Sequence, residues 1–346
     1  MFSKLLGKFS RDLGIDLGTK NTLVYVSDKG VVANEPSVVA INTRTNEILE
    51  VGEAARKMVG KTPGHINAIK PLVDGVISDF EVTEKMLKYF ITKVHKENFS
   101  LIARPRVVIG IPLDLTEVEK KAVEDAAKSA GARKVYLIEE AMAAAIGAGL
   151  PVVEATATMV VDIGGGTTEI AVISLGGVVT WKSLKAAGNE FDNNIIEYIR
   201  EEFNILIGEQ LAEKIKVNIG SAIPLAEEQE MEVRGRDLIT GLPKAIMVSD
   251  SQIREAISKT TNKIIENIKT ILETTPPELV SDIYERGLYL SGGGALLNGL
   301  DEAISSATNV PVKIVDDPLT CVVRGTGKLL GDEELLDKVV LANIIS

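Results

Sequence analysis

The sequence is poor in the residues that build disulfide frameworks and zinc sites. Its 346 residues include one cysteine, Cys321, and two histidines, His65 and His95. A single cysteine excludes a disulfide within the chain and is typical of a reducing cytoplasm, and a free cysteine in an apolar run is usually a small core residue. Neither histidine lies near a cysteine or a motif, so the spacing predicts no zinc site.

Basic charge and long apolar runs are scarce as well. The formal net charge is −11, from 38 basic and 49 acidic residues. A protein that coats nucleic acid needs clustered lysine and arginine, so we expect no nucleic-acid partner, although backbone amides and a metal can still hold a nucleotide. No run approaches the ~20 apolar residues of a membrane-spanning helix. With 45% apolar residues, the chain can bury a large core in two domains or one bilobed unit.

Short apolar strands alternate with amphipathic helices along the chain. Strands are predicted at 13–16, 22–26, 38–41, 107–111, 135–138, 159–162, 168–174 and 287–290. Helices are predicted at 82–96, 117–130, 140–148, 190–203, 208–220, 251–273 and 299–308, with Thr116 and Glu119 as a capping box. This alternation predicts a layered α/β architecture, and the lack of a Gly/Ser-rich linker predicts two tightly coupled halves.

One motif occurs twice, about a domain length apart. The segment IDLGT at 15–19 recurs as VDIGGGTT at 161–168, which places Asp16 and Asp162 146 residues apart. In each copy an apolar strand ends in a carboxylate, turns on glycine, presents hydroxyl groups and returns as a second strand. Glycine lets backbone N–H groups approach phosphate oxygens, and Mg²⁺ typically takes one or two protein carboxylates. Two such turns face to face would hold a β,γ-phosphate and its metal.

Neither copy is a P-loop or a dinucleotide-binding fingerprint, because each turn leads into a strand rather than a helix. A third glycine cluster, SGGGA at 291–295, ends a strand and opens a helix. Its glycines allow an aromatic base or an α-phosphate to pack against the backbone, although glycine is also common in purely structural turns of this kind.

Together these segments resemble a known superfamily. DLGTKNT at 16–22, EEAMAAA at 139–145, DIGGGTTE at 162–169, SGGGA at 291–295 and RGTG at 324–327 occur in order. They resemble the two phosphate motifs, the adenosine motif and the two connecting motifs of the actin, Hsp70 and sugar kinase superfamily. Within it, NEPS at 34–37, GKTP at 60–63, DGVI at 74–77 and PPEL at 276–279 resemble the MreB family of bacterial actin-like proteins. The resemblance covers nearly the whole chain.

The resemblance implies an actin-like (ribonuclease H-like) α/β fold with two duplicated lobes, four subdomains and a nucleotide cleft. The first lobe is expected at 1–145, with a small subdomain inserted at about 32–76. The second is expected at 146–325, with a small subdomain at about 183–250, and a C-terminal tail at 326–346 would pack back on the first lobe. The implied ligands are ATP or GTP with Mg²⁺.

The resemblance also assigns roles to residues. Asp16 and Asp162 are expected near the metal, and Glu140 is expected to orient the attacking water with help from Thr167. The implied nucleotide-binding residues are Thr19, Lys20, Asn21, Gly164, Gly165, Gly166, Thr167, Glu213, Lys214, Ile215, Lys216, Gly293, Gly294, Ala295 and Leu296. Glu140 can alternatively be read as an acid favoured by a helix dipole, and Glu213 with Lys216 as a solvated i,i+3 pair.

Two residues depart from the MreB pattern. Ala141 stands where these proteins usually have proline, which would loosen a loop that aims Glu140 and slow hydrolysis, leaving open a filament protein that hardly hydrolyses nucleotide. Lys20 replaces the usual small residue of the first turn. It would either add a phosphate contact or point to solvent.

Two apolar segments are candidates for membrane contact. Phe2, Leu5, Leu6 and Phe9 have helical spacing with basic residues between them, typical of a helix on an anionic membrane surface. The segment Phe99, Leu101 and Ile102 resembles the exposed hydrophobic loop beside the N-terminus of MreB-like proteins. The alternatives are a terminus that packs on the body and side chains that close a subdomain core.

The resemblance implies an actin-like filament protein that determines bacterial cell shape and hydrolyses nucleotide slowly. By resemblance, head-to-tail protofilaments would pair antiparallel on the inner face of the plasma membrane, with membrane proteins of the elongation complex as partners. The alternative is a sugar or acetate kinase, which would need a further substrate pocket with a catalytic aspartate. A chaperone ATPase would need a substrate-binding domain after RGTG, and the sequence extends only a short way past it.

Overall fold

The computed structural model describes residues 11–96 and 104–345. Within these ranges, none of the helices combines the length and the apolar character needed to cross a bilayer. In chain order the strands are β1 (Leu13–Leu17), β2 (Asn21–Val26), β3 (Gly30–Pro36), β4 (Val39–Asn42), β5 (Glu47–Val51), β6 (Ile66–Ile69), β7 (Leu72–Val73), β8 (Val76–Ile77), β9 (Arg106–Ile111), β10 (Lys134–Glu139), β11 (Thr158–Ile163), β12 (Thr168–Ser174), β13 (Gly177–Leu184), β14 (Ile205–Leu206), β15 (Glu230–Asp237), β16 (Pro243–Ser249), β17 (Leu288–Ser291) and β18 (Val312–Ile314).

The helices complete the α/β pattern. They are α1 (Glu53–Arg56), α2 (Phe80–Lys96), α3 (Glu117–Ser129), α4 (Glu140–Gly147), α5 (Gly188–Phe203), α6 (Glu209–Ile219), α7 (Asp250–Thr274), α8 (Pro277–Arg286), α9 (Leu300–Thr308), α10 (Cys321–Gly331) and α11 (Glu333–Ile345), with short 3-10 helices at Gly293–Leu296 and Pro318–Thr320.

Two five-stranded sheets share one topology. The first has the order β10-β9-β1-β2-β3 and the second β13-β12-β11-β17-β18. In each, three antiparallel strands form a meander, and two more strands add in parallel beside the first of them. Asp16 and Asp162 therefore occupy equivalent places near the ends of the central strands β1 and β11. The predicted duplication of an α/β lobe is confirmed.

Each lobe carries a smaller sheet beside its large one. The sheet β5-β4-β6 with α1 comes from residues 39–69, and the sheet β14-β15-β16 comes from residues 205–249. In β15, exposed residues alternate with residues that are buried or half-buried, so this strand has one solvated face. Buried apolar side chains form one core in each lobe, a third around α4 and α10, and a small fourth cluster beside β4 and α1.

Helices α4 and α10 cross between the lobes at very short range. A Cβ atom on Gly147 would lie 1.9 Å from the carbonyl oxygen of Cys321, and one on Gly325 would lie 1.9 Å from that of Ala143. Only glycine permits two backbones to approach so closely. Cys321 is fully buried and its thiol donates to the carbonyl oxygen of Ala144 at 3.2 Å, as expected for a core cysteine.

One local prediction is confirmed by the structure and another is wrong. Thr116 and Glu119 form the expected capping box of α3. Ala141 lies in the first turn of α4 and is fully buried, so the expected loosened loop at this position is wrong: the residue belongs to a helix. The C-terminal α11 packs against both β10 and β13, and Glu333 pairs with Arg106 at 2.5 Å.

Candidate functional site

A cavity of about 480 Å³ lies between the two lobes, within the ~300–1,000 Å³ range of small-molecule sites. It collects residues from both halves of the chain. The predicted site residues on its wall are Asp16, Thr19, Lys20, Asn21, Glu140, Asp162, Gly164, Gly165, Gly166, Thr167, Glu213, Lys216, Gly293, Gly294 and Leu296.

The first wall is the turn between β1 and β2, residues 18–20, called here the first turn. Asp16 pairs with Leu23 of β2 and with Gly110 of β9, which fixes its place near the strand end. The hydroxyl of Thr19 accepts a hydrogen bond from the backbone N–H of Gly75 at 2.8 Å. The first turn is thereby tied to the segment after β7.

The opposite wall is the turn between β11 and β12, residues 164–167, called here the second turn. The N–H of Gly164 donates to the carbonyl oxygen of Thr167 at 2.9 Å and closes the turn. A Cβ on Gly165 would lie 2.5 Å from the Cβ of Lys20, and one on Gly166 would lie 2.7 Å from the hydroxyl oxygen of Thr19. Glycine at these positions lets the turns of the two lobes touch, so the cleft is closed at this end.

The third glycine cluster forms the floor beside the second turn. Gly292 has a φ of +78°, and a Cβ there would lie 2.4 Å from the carbonyl oxygen of Ile163, so both conformation and space require glycine. Gly293 and Gly294 line the cavity, and Leu296 exposes its side chain there. Ala295 is fully buried beneath them.

Three carboxylates, of Asp16, Glu140 and Asp162, line the cavity, and that of Glu169 lies close enough to act on Glu140. Burial, followed by the charge of Asp162, raises the pKa of Asp16 to about 7. Burial raises the pKa of Asp162 to about 6 and that of Glu169 to about 7. Burial, with the charges of Asp16, Glu169 and Asp162, raises the pKa of Glu140 well above its usual range. The cluster is short of positive charge.

The donor set fits Mg²⁺. Asp162 Oδ1 and Glu169 Oε1 are buried and lack a hydrogen-bond partner among the described residues, and buried carboxylate oxygens need a hydrogen bond or a cation. Within residues 11–96 and 104–345, no three His, Cys, Asp or Glu side chains are placed so that they could hold one metal ion by themselves. A cation held by few protein carboxylates, with water and phosphate as its other ligands, suits Mg²⁺ better than zinc.

The raised pKa values predict an unusual pH dependence for the metal-free protein. Between about pH 4 and pH 7 the native state binds more protons than the unfolded state, so these carboxyls make the free energy of unfolding fall as pH rises. In EDTA at about pH 7.5, Asp162→Asn is expected to stabilise the protein by on the order of 2 kcal/mol and to flatten this dependence. Urea unfolding at about pH 5 and about pH 7.5 measures both. A less stable Asp162→Asn variant at the higher pH would contradict the prediction.

Two charged residues of α6, Glu213 and Lys216, line the cavity and pair with charged residues on other elements. Lys20 Nζ lies 2.7 Å from Asp192 Oδ2 and 2.7 Å from Glu213 Oε1, and Lys216 Nζ lies 2.7 Å from Asp192 Oδ1. Glu213 and Lys216 each pair with a residue on another element, so the solvated i,i+3 pair is not what the structure has. Lys20 therefore does not point freely to solvent. Its ammonium group lies at the cavity and is paired with two carboxylates.

Not every predicted nucleotide-binding residue reaches the cavity. Lys214 is exposed on another face of α6, and Ile215 is fully buried in the core of the second lobe. A contiguous run on a helix cannot face one site, because successive residues are about 100° apart. The Glu213 and Lys216 positions face the cavity because they are three residues apart.

Several cavity residues were not predicted. They are Gly18, Leu23, Asn34, Gly75, Gly188, Phe191, Val217, Asn218, Gly220, Gln229, Gly292, Leu297, Asn298, Pro318, Leu319 and Val322. Asp192 and Glu169, which act on cavity residues, were also not assigned roles. Glu169 is the last residue of the segment DIGGGTTE, so its position carried a usable signal, whereas Asp192 within α5 carried none.

The seven residues predicted to contact membrane lie outside the described residues. They are Phe2, Leu5, Leu6, Phe9, Phe99, Leu101 and Ile102. That prediction therefore stays a prediction.

Sequence and fold match known proteins over nearly the whole chain. The family described as MreB/Mbl protein matches residues 10–338. The chain is 52% identical over 341 residues to the cell shape-determining protein MreB of Escherichia coli (strain K12), covering 97% of each. MreB5 of Spiroplasma citri, in structures bound to ADP and to AMPPNP, matches with TM-scores of 0.89 and 0.88 at 40% and 41% identity. These matches cover 95% and 97% of this chain and 98% of each MreB5 chain.

Proposed function

The chain belongs to the MreB/Mbl family, and from this we propose that it is an ATP-dependent, actin-like cytoskeletal protein that determines cell shape. The observation that carries the proposal is the closed cleft in which two duplicated Asp-Gly turns face each other across a cavity of about 480 Å³. Support also comes from the name of the E. coli relative and from the adenine nucleotides bound to MreB5. ATP is accordingly preferred over GTP as the ligand.

Each wall of the cavity has a proposed part in binding. The backbone and hydroxyls of the two turns, with Thr19, Asn21 and Gly164 to Thr167, hold the β- and γ-phosphates. The adenosine packs against Gly293, Gly294 and Leu296. Its ribose lies within reach of Glu213 and Lys216 of α6. Because the two lobes contribute opposite walls, a bound nucleotide favours the closed arrangement over an open one.

Hydrolysis is proposed to run through Glu140. Asp16 and Asp162 would hold Mg²⁺, which would neutralise charge on the phosphates. The Glu140 carboxylate accepts a hydrogen bond from the attacking water and orients it, and the hydroxyl of Thr167 assists. Phosphoryl transfer depends mainly on positioning and electrostatic stabilisation, so a buried carboxylate on a rigid helix is suited to this task.

Assembly and location complete the proposal. The closed state is proposed to polymerise head to tail, with protofilaments paired antiparallel, and hydrolysis to tune their turnover. The filaments would lie on the anionic inner face of the plasma membrane, beside membrane proteins of the elongation complex. We also keep the division into lobes at 1–145 and 146–325, with insertions at about 32–76 and 183–250 and a tail at 326–346, as part of this proposal.

A small-molecule kinase is not favoured. A second cavity, between β5 and α2, is lined by Ile48, Val51, Lys85, Lys88, Tyr89, Thr92 and Lys93. None of these side chains is a carboxylate that would activate a substrate hydroxyl. This cavity therefore supplies no catalytic aspartate of the kind a sugar kinase needs.

Calorimetric titration tests nucleotide binding directly. AMPPNP is expected to bind in the presence of Mg²⁺ and to lose affinity in EDTA, with GMPPNP binding more weakly. Equal binding with and without Mg²⁺ would contradict the role given to Asp16 and Asp162. Tighter binding of GMPPNP would overturn the preference for ATP.

Deleting residues 1–10 tests membrane contact. The truncated protein is expected to keep its nucleotide affinity and to lose most of its co-sedimentation with anionic liposomes, because the apolar side chains of this segment supply the burial in lipid. A full-length variant with Leu5 and Leu6 replaced by serine should behave alike. Undiminished liposome binding by both proteins would contradict membrane contact through this segment.

A further inference from the structure

Lys20 connects the two lobes at the mouth of the cavity. It lies on the first turn, in the first lobe, and its ammonium group is 2.7 Å from Asp192 Oδ2 on α5 and 2.7 Å from Glu213 Oε1 on α6, both in the second lobe. The sequence separation from Asp192 is 172 residues. One side chain of the first lobe thus holds two helices of the second.

Asp192 is the buried centre of this network. Its side chain is 6% exposed, and its second oxygen lies 2.7 Å from Lys216 Nζ, which also donates to the carbonyl oxygen of Gly188 at 2.9 Å. Burial lowers the pKa of Lys20, but its ion pairs with Asp192 and Glu213 outweigh this effect and raise it. A carboxylate buried this deeply depends on both of its cations, because an unpaired buried charge is costly.

Further contacts join α6 to the first lobe. Arg56 Nη1 lies 4.0 Å from Glu213 Oε2, and the side-chain amide of Gln210 donates to the carbonyl oxygen of Arg56 at 3.1 Å. Lys70 also pairs with Glu209 at the start of α6. Lys20 is the member of this set that lines the cavity, together with Glu213 and Lys216.

We propose that Lys20 is a positioning residue that ties the first turn to α5 and α6, an arrangement called here the latch. The latch holds the cleft closed over the nucleotide and keeps Glu213 and Lys216 in place. The inference rests on the proposed nucleotide binding. It differs from a phosphate contact, because Lys20 already engages two carboxylates. Its action through α5 and α6 is independent of how many phosphates the ligand carries.

A latch and a phosphate contact predict different dependences of nucleotide release on the number of phosphates in the ligand. A latch slows the escape of ADP and AMPPNP by the same factor, whereas a phosphate ligand favours the nucleotide with more phosphates. A latch also requires Asp192, so the effects of Lys20→Ala and Asp192→Asn should overlap rather than add, as for residues that contact each other.

Dissociation rates of fluorescent ADP and AMPPNP analogues, measured with Mg²⁺, test the latch. Lys20→Ala is expected to speed the release of both nucleotides by on the order of tenfold, Asp192→Asn to act similarly, and the double variant to be no faster than the faster single one. Glu213→Gln is a second disruption of the latch. Lys269→Ala, which removes an exposed ion pair to Glu266 within α7, is the matched control and should release nucleotide at the wild-type rate.

A nucleotide-free measurement separates this inference from the proposed function. Spin labels at Lys61→Cys and Lys214→Cys, both exposed and on opposite sides of the cleft, report the separation of the lobes by pulsed electron resonance. Lys20→Ala should lengthen or broaden the distance distribution. An unchanged distance distribution in Lys20→Ala would overturn the latch. Faster release of AMPPNP alone, in a way that adds to the effect of Asp192→Asn, would overturn it as well. Wild-type protein that binds neither nucleotide would overturn the proposed function, while the label distances still decide on the latch.

Discussion

Glu140→Gln is expected to lower the rate of ATP hydrolysis by about 10²–10³-fold, the usual contribution of a positioned acid or base. Glu140 sits in the first turn of α4 and is buried beside Asp16 and Asp162. Glutamine keeps the shape of the side chain but cannot accept a proton, so the water loses its orienting carboxylate. Nucleotide affinity is expected to stay within a few-fold of wild type, because Glu140 is not assigned a contact with the nucleotide itself.

Phosphate release under single-turnover conditions measures this effect without the complication of product release. Glu117→Gln, at an exposed side chain in the first turn of α3, is the matched control and should hydrolyse ATP at the wild-type rate. Unchanged hydrolysis by Glu140→Gln would mean that the carboxylate is only a helix N-terminal acid. Lost nucleotide binding would instead assign it to the binding site.

Gly166→Val is expected to raise the dissociation constant for AMPPNP by about 100-fold, equivalent to ~3 kcal/mol. A Cβ at this position would lie 2.7 Å from the Thr19 hydroxyl oxygen and 3.0 Å from the Cα of Asp74. Both contacts are with the first lobe, and the φ of Gly166 is not in the left-handed region. The added side chain therefore opposes closure of the cleft rather than folding of the second lobe.

Calorimetric titration measures the loss of affinity, and urea unfolding checks that the free energy of unfolding changes by no more than ~1 kcal/mol. Gly64→Val is the control, since a Cβ at Gly64 meets nothing within 4 Å. Wild-type affinity in Gly166→Val would show that nucleotide binding does not need the contact between the two turns.

The sequence predicted the duplicated fold because its signals are local and strong. Each copy of the Asp-Gly turn follows an apolar strand, which indicated the duplication. The match with MreB5 confirms the actin-like fold that the family resemblance implied. Strands of the small sheets were harder to predict. β15 carries charged residues at five of its eight positions and has one solvated face, so its pattern resembles that of a surface loop.

The partners of Lys20 show what sequence reasoning could not reach. Its position in the first turn indicated a choice between phosphate and solvent, yet its ammonium group binds Asp192 and Glu213 on the other lobe. Pairing across so many residues depends on how the lobes sit against each other, which local pattern does not encode. The effect of Ala141 was misjudged for a local reason. An alanine that would loosen a loop is a favourable residue in the first turn of a helix.

The most direct test of the account is sedimentation of the purified chain with and without Mg-ATP, with electron microscopy of the pellet. We predict that the protein pellets as paired filaments with Mg-ATP, and that it stays in the supernatant without nucleotide or in EDTA. Gly166→Val should stay in the supernatant under every condition. A wild-type chain that binds AMPPNP with Mg²⁺ but remains soluble at all protein concentrations tested would contradict a nucleotide-dependent cytoskeletal role.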